Sequence, residues 1–351
     1  MARPEVWTTG IAWPGVVERA ARRAEAAGFD GLAVVDSQNL AGDPYVGLAL
    51  AARETERLQL GTAVTNPVTR HPAVTAAAAV TLQVASDGRF VLGIGRGDSA
   101  LAHLGRAPAS VATFERYLAV LGAYLRGETV AFDDLGFHES VAPPVDALGL
   151  AGAPDASRLH FLPPGLPTVP VEVAATGPRV LDAAAHHADR VLLALGADPE
   201  RVRWGIDTVR ASGGTSVGAF VNVVPHPDVA VARELASGGV ATFARFSVMH
   251  GNVSGPATTD QRDTFAAVHD AYDMTRHTQV GSPQAATLTP DFIDRFGIVG
   301  SSEVCAKRLR ELVGLGLDKL VVTGPTLGAD PDEARAARER FAAEVLPALR
   351  T

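Results

Sequence analysis

Short apolar runs alternate along this chain with longer segments whose apolar residues recur at helical spacing. Residues 58–98 show the pattern most clearly, reading LQLGTAVTNPVTRHPAVTAAAAVTLQVASDGRFVLGIGRGD. Residues 58–64 are rich in Leu, Val and Thr, as a strand is. Thr65-Asn66-Pro67 stops that strand, because proline donates nothing to a sheet ladder. Pro72 suits a first helical turn, and the alanine-rich residues 73–84 continue the helix. Asp87-Gly88 turns the chain into a second strand, 90–94, which ends in Gly95-Arg96-Gly97-Asp98.

The same alternation runs to both ends. Residues 6–11 read as a strand and 14–27 as an amphipathic helix ended by Gly28. Residues 31–35, GLAVV, form an uninterrupted apolar run, as expected of a strand buried on both faces; it ends in Asp36-Ser37-Gln38. Asp43 as cap and Pro44 in the first turn open the next helix, which runs to about residue 56. Residues 108–126 place Phe114, Leu118, Leu121 and Leu125 on one helical face. Residues 127–166 are turn-rich, with Pro143-Pro144, Pro154 and Pro163-Pro164, and read as an excursion over one end of the fold. Strands at 169–174, 191–195, 217–224 and 320–323 then alternate with helices at 177–188, 199–211, 227–251, 301–313 and 331–349. Residues 252–290 are polar and irregular, a second insertion. The pattern predicts one (β/α)8 barrel domain over residues 1–351, with insertions near 127–168 and 252–298. A doubly wound sheet is the rival, but it leaves too many units to place.

Composition narrows the function. With 47% apolar and 20% charged residues the chain can bury a large core. A net charge of −8 disfavours a nucleic-acid surface, which needs basic stripes. The longest apolar stretches fall short of a membrane span, and the start MARPEVWTTG lacks the apolar core of a signal peptide. One cysteine, Cys305, fits a reducing cytoplasm. High Ala, Arg and Gly usage hints at a GC-rich bacterial source.

In a barrel, ligands sit at the C-terminal ends of the strands, and several polar clusters fall there. Asp36 suits either a helix cap or a carboxylate in the barrel mouth. Asn66 carries both a donor and an acceptor. Gly93-Ile94-Gly95-Arg96-Gly97 departs from G-x-G-x-x-G, since Asp98 stands where the last glycine belongs and no helix is expected to open at once. Its glycines suit close backbone approach to a planar ligand. Asp98 could cap a turn or handle a proton. Ala174 to Arg179, AATGPR, opens a helix whose free N–H groups make an anion site. His71 reads as a cap or packing residue. His186-His187 point in different directions and make a poor metal pair. With no H-E-x-x-H, C-x-x-C or G-x-S-x-G, nothing argues for a metal or an acyl-transfer serine.

The runs TAVTNPVTRHPAVTAAAAVTL and SDGRFVLGIGRGDSAL resemble the bacterial luciferase-like superfamily, nearest to its coenzyme F420-dependent branch of the methylenetetrahydromethanopterin reductase type. AATGPRVLDAAAHHADRVLLA and FGIVGSSEVCAKRLRELVGLGLDKLVVTG extend the likeness. The resemblance implies a hydride transfer between C5 of the deazaflavin and a small organic substrate. It implies Asp36 beside the ring and a non-prolyl cis peptide at Ala63–Val64 pressing on it. Thr65, Asn66, Gly97 and Ser99 would bind the cofactor, Asn66 through a ring carbonyl or N–H, with Asp98 near the reacting carbon. Ala175, Thr176, Gly177, Pro178 and Arg179 would hold the cofactor phosphate. Arg96 keeps FMN open as a cofactor, in a two-component monooxygenase fed with FMNH2 by a separate reductase. A third reading is a barrel that binds a flavin-like ligand without turnover. Trp13, Gln38 and the insertions would set the substrate, and the superfamily implies a homodimer.

Overall fold

The computed structural model describes residues 3–136 and 142–350. Its centre is a closed parallel barrel of eight strands, numbered here β1 (Glu5–Ile11), β2 (Gly31–Val35), β3 (Gln59–Thr62), β4 (Phe90–Ile94), β5 (Val171–Ala175), β6 (Arg190–Leu193), β7 (Val217–Pro225) and β8 (Lys319–Thr323). Each pairs in parallel with its sequential neighbour, and β8 pairs with β1 to close the ring. Helices return the chain between strands, so the fold is the expected (β/α)8 barrel.

Both faces of each strand are buried, which is why the strands read as unbroken apolar runs. Leu32, Leu60, Leu92, Val173, Val191 and Val221 point outward into the helix layer. Trp7, Ala33, Val91, Leu192, Phe220 and Val321 fill the lumen. Burying one such large apolar side chain contributes about 1.5–3 kcal/mol relative to exposure. The helix starts follow their local signals. The Asp43 carboxylate accepts from the Tyr45 and Val46 amides at 2.9 and 3.2 Å with Pro44 in the first turn. His71 caps its helix by accepting from the Ala73 amide at 3.2 Å.

The floor of the barrel is tied by charge. Glu172 accepts from Lys319 and from Arg190, both at 2.7 Å, and Arg190 also reaches Glu5 at 2.9 Å. Lys319 lies 3.2 Å from the Trp7 ring centroid. All but Glu172 stand at the first residue of their strands, and Glu172 stands at the second.

Several expectations change. Residues 252–290 are not irregular throughout: Thr259–Asp270 is a helix, closed by a capping box in which the Thr258 amide donates to Gln261 at 2.9 Å and the Gln261 amide to the Thr258 hydroxyl at 3.3 Å. A helix does open directly after Asp98, the short turn Ser99–Ala102; Leu101 folds back over Gly97, whose φ of 85° lets the chain double back. Ile298–Gly300 adds a short strand beside β7. The last helix is interrupted by a π turn, Phe341–Val345. Within the first insertion, residues 137–141 lie outside the described residues; before and after them, Val130–Ala131 pairs antiparallel with Ala156–Ser157.

Candidate active site

At the C-terminal mouth, β3 ends early and the chain bulges. The Ala63–Val64 peptide is cis, as the resemblance implied. The ladder resumes one step later, with the Thr65 amide donating to the Gly93 carbonyl and the Gly95 amide to the Thr65 carbonyl, both at 2.9 Å. Glycine is needed opposite. A Cβ on Gly93 would stand 2.0 Å from the Thr62 carbonyl oxygen, and one on Gly95 would stand 3.0 Å from Val64.

Asn66 follows the bulge and is fully buried. Its Oδ1 accepts from the Val68 amide at 3.0 Å, the Thr69 amide at 3.1 Å and the Thr69 hydroxyl at 3.3 Å. These donors fix which way the side-chain amide faces. Among the described residues its Nδ2 is therefore a buried donor without a partner. Such groups are rare in folded proteins and point to an absent acceptor.

Asp36, 5% exposed at the end of β2, forms the neighbouring cluster. Oδ1 accepts from Gln38 Nε2, while Oδ2, Gln38 Oε1, the Tyr45 hydroxyl and the Thr65 hydroxyl have no partner of good geometry. Burial pushes the Asp36 carboxyl above the usual range. The nearby Thr65 hydroxyl, Gln38 amide and Arg70 guanidinium oppose that effect less strongly. Arg70 pairs with Asp43 and lies 4.6 Å over the Tyr45 ring. A cavity of about 600 Å³ opens from Asp36 and Gln38 between the loops after β2 and β3.

Asp98 stands at the same mouth but in another group. Its Oδ2 accepts from Arg245, near the end of the helix Val229–Ser247. Arg245 lies 4.7 Å over the ring of Tyr272, whose hydroxyl meets His277 Nδ1 at 2.7 Å. Burial pushes the His277 imidazole down to about 4, so it is neutral at pH 7. Tyr272 and His277 come from the second insertion.

On the far side, Ala175, Thr176 and Gly177 lead into the helix Pro178–His187, whose first turn has no side-chain cap. Thr176 donates to the Ala194 carbonyl at 3.4 Å, and Arg179 is exposed. Arg96 donates to the Ala109 carbonyl at 2.5 Å; burial pushes its guanidinium down, and the charge of Arg179 adds to that effect. Two arginines within electrostatic reach of a free helix start can take a phosphate. Ser99 begins the turn after Asp98. Trp13 is 64% exposed on the rim, and its loop is tied down where the Gly42 amide donates to the Ala12 carbonyl at 2.9 Å.

The mouth thus suits a planar, polar-edged ligand. Unpartnered buried atoms wait at Asn66 and Asp36, and Gly93 and Gly95 let the bulge pack against β4 without a Cβ in the way. Among the described residues no cluster of His, Cys, Asp or Glu could hold a metal ion, and no helix is long and apolar enough to cross a membrane. Arg245, Tyr272, His277 and Tyr45 were not legible as site residues, since none lies in a recognisable motif.

The chain is 27% identical over 321 residues to the 5,10-methylenetetrahydromethanopterin reductase of Methanolobus tindarius, covering 90% of this chain and 91% of that one. Its fold matches the coenzyme F420-dependent tetrahydromethanopterin reductase of Methanopyrus kandleri with a TM-score of 0.71 at 21% identity, over 99% of each chain. It also matches the oxygenating constituent of 3,6-diketocamphane monooxygenase from Pseudomonas putida, a complex with FMN, with a TM-score of 0.63 at 17% identity, over 99% of this chain and 98% of that one. The family model described as luciferase-like monooxygenase matches residues 4–319, and the chain belongs to that family.

Proposed function

We propose that this protein is an oxidoreductase that uses coenzyme F420 and exchanges a hydride with a small organic substrate. The buried, unpartnered Nδ2 of Asn66 beside the Ala63–Val64 bulge carries this reading, because it offers a fixed donor to a ring carbonyl where the backbone meets a planar ligand. The coenzyme F420-dependent reductase of Methanopyrus kandleri, whose fold this chain shares, supports the choice of cofactor. When bound, F420 supplies the hydride chemistry at its C5.

The chain's own residues bind, orient and handle the proton. Val64 and the Asn66 amide position the ring, and Asp36 meets its edge. Arg96, Arg179 and the N–H groups after Gly177 hold the phosphate. Asp98 is the carboxylate placed to give or take a proton.

Arg96 beside Arg179 favours a second reading, reduced FMN in a two-component monooxygenase supplied by a separate reductase. A titration of purified protein with F420 and with FMN, followed by absorbance, separates the two. Saturable binding of F420 with much weaker FMN binding is expected. The reverse preference would replace the first reading with the second.

A further inference from the structure

Buried and half-buried arginines in this fold spend their donors on the protein. Arg89 makes five hydrogen bonds, and Arg201 and Arg308 each make four, mostly to backbone carbonyls. Arg245 differs. Its side chain is 16% exposed, yet its hydrogen bonding among the described residues is the one contact to Asp98. A guanidinium carries five N–H donors, so most of this fork is unspent.

Its surroundings fit that state. The Tyr272 ring lies beneath it and its hydroxyl meets the neutral His277, and among the described residues Asp98 is the acidic group paired with Arg245. His103, within electrostatic range of His277, presents a buried Nε2 with no partner. The same helix carries Phe243 and Phe246, their centroids 5.4 Å apart, and Phe243 continues to Phe220 of the lumen at 5.9 Å. The helix that brings a half-satisfied guanidinium to the mouth therefore also carries an aromatic row that runs into the barrel.

We propose that Arg245 anchors the substrate, and that the substrate is a carboxylate on an apolar or aromatic body. The planar fork matches two carboxylate oxygens, which a lysine cannot do. The aromatic row takes the apolar body, and His103 Nε2 is available to an oxygen. The incoming carboxylate takes the unspent donors and shares the guanidinium charge, which loosens its hold on Asp98 and frees that carboxylate toward the reacting position. This rests on the mouth being a catalytic site and names its substrate class; the cofactor's identity does not enter.

The test uses the full chain without cofactor and benzoate as the probe, by titration calorimetry, with benzamide as the uncharged comparison. Benzoate should bind saturably, and benzamide about 10-fold more weakly. Arg245→Met should weaken benzoate about 10-fold or more, and Arg245→Lys should fall between it and the parent. Asp98→Asn should tighten benzoate roughly 3–10-fold, because the negative charge beside the fork, which repels a second carboxylate, is gone. A purely structural ion pair would not give these opposite signs. Equal benzoate affinity in Arg245→Lys, or no tightening in Asp98→Asn, overturns the proposal even should Arg245→Met fail to fold. Benzoate binding in a protein that ignores F420 would leave this proposal standing and remove the cofactor assignment.

Discussion

Thr62 and Gly93 interlock across the β3–β4 boundary: the Thr62 hydroxyl donates to the Gly93 carbonyl at 2.6 Å, and the Thr62 carbonyl fills the space a Gly93 side chain would need. Neither residue touches solvent appreciably, and together they hold the bulge at the mouth. Gly93→Ala would drive a Cβ against a backbone oxygen that cannot rotate away. The expected cost is about 3 kcal/mol or more, with loss of cofactor binding. Chemical denaturation and a cofactor titration of the same preparation check both; an alanine variant of parental stability would contradict the interlock.

Asp36→Asn should separate stability from function. The buried carboxylate has an oxygen with no good partner, and burial disfavours its charge. Asparagine removes the charge, so thermal unfolding at pH 7 should move up by a few degrees, on the order of 1 kcal/mol. Cofactor affinity should fall at the same time, the usual cost of relieving a functional site. A variant that loses both stability and affinity would make Asp36 a structural residue.

Asp98→Asn tests proton handling. Asparagine keeps the size but has no proton to exchange near neutral pH. With a substrate in hand, turnover should fall about 10²–10⁴-fold while cofactor affinity changes little. Lost cofactor affinity with near-parental turnover would move Asp98 to binding.

His277 makes the second insertion sensitive to acid. Its folded value, about 4, lies below the ordinary histidine value of 6.5, so the unfolded chain takes up the proton first as pH falls. Its neutral form is fully compatible with folding above pH 6.5, and stability is lost as pH drops from 6.5 toward 4. The loss from this group is up to roughly 3 kcal/mol. His277→Gln should flatten the pH dependence of unfolding in that window; an unchanged slope would mean that other groups dominate.

Most of the barrel was legible because each strand is buried on both faces and each helix carries its own start signal. Asp43-Pro44 and His71-Pro72 sit at helix starts as read. The bulge at Ala63–Val64 was not legible from propensity, since both residues are ordinary strand formers; it came only through resemblance. The helix Thr259–Asp270 was obscured by its polar sequence, although Thr258 and Gln261 spell a capping box. Arg245 could not be found at all. Its meeting with Asp98 spans 147 residues, and one arginine in a helix looks like any other until the fold closes.

The charged floor has a consequence for how this barrel can change. Glu5, Glu172, Arg190 and Lys319 link strands β1, β5, β6 and β8 at the end remote from the mouth. Those contacts clamp the relative heights of the strands before any loop at the other end is specified. The molecule behaves like a vessel whose staves are hooped at the base, so its rim can be recut. Exchanging segments such as 252–290 for those of other family members should therefore alter which molecules enter without shifting the strands that present Asn66 and Asp98.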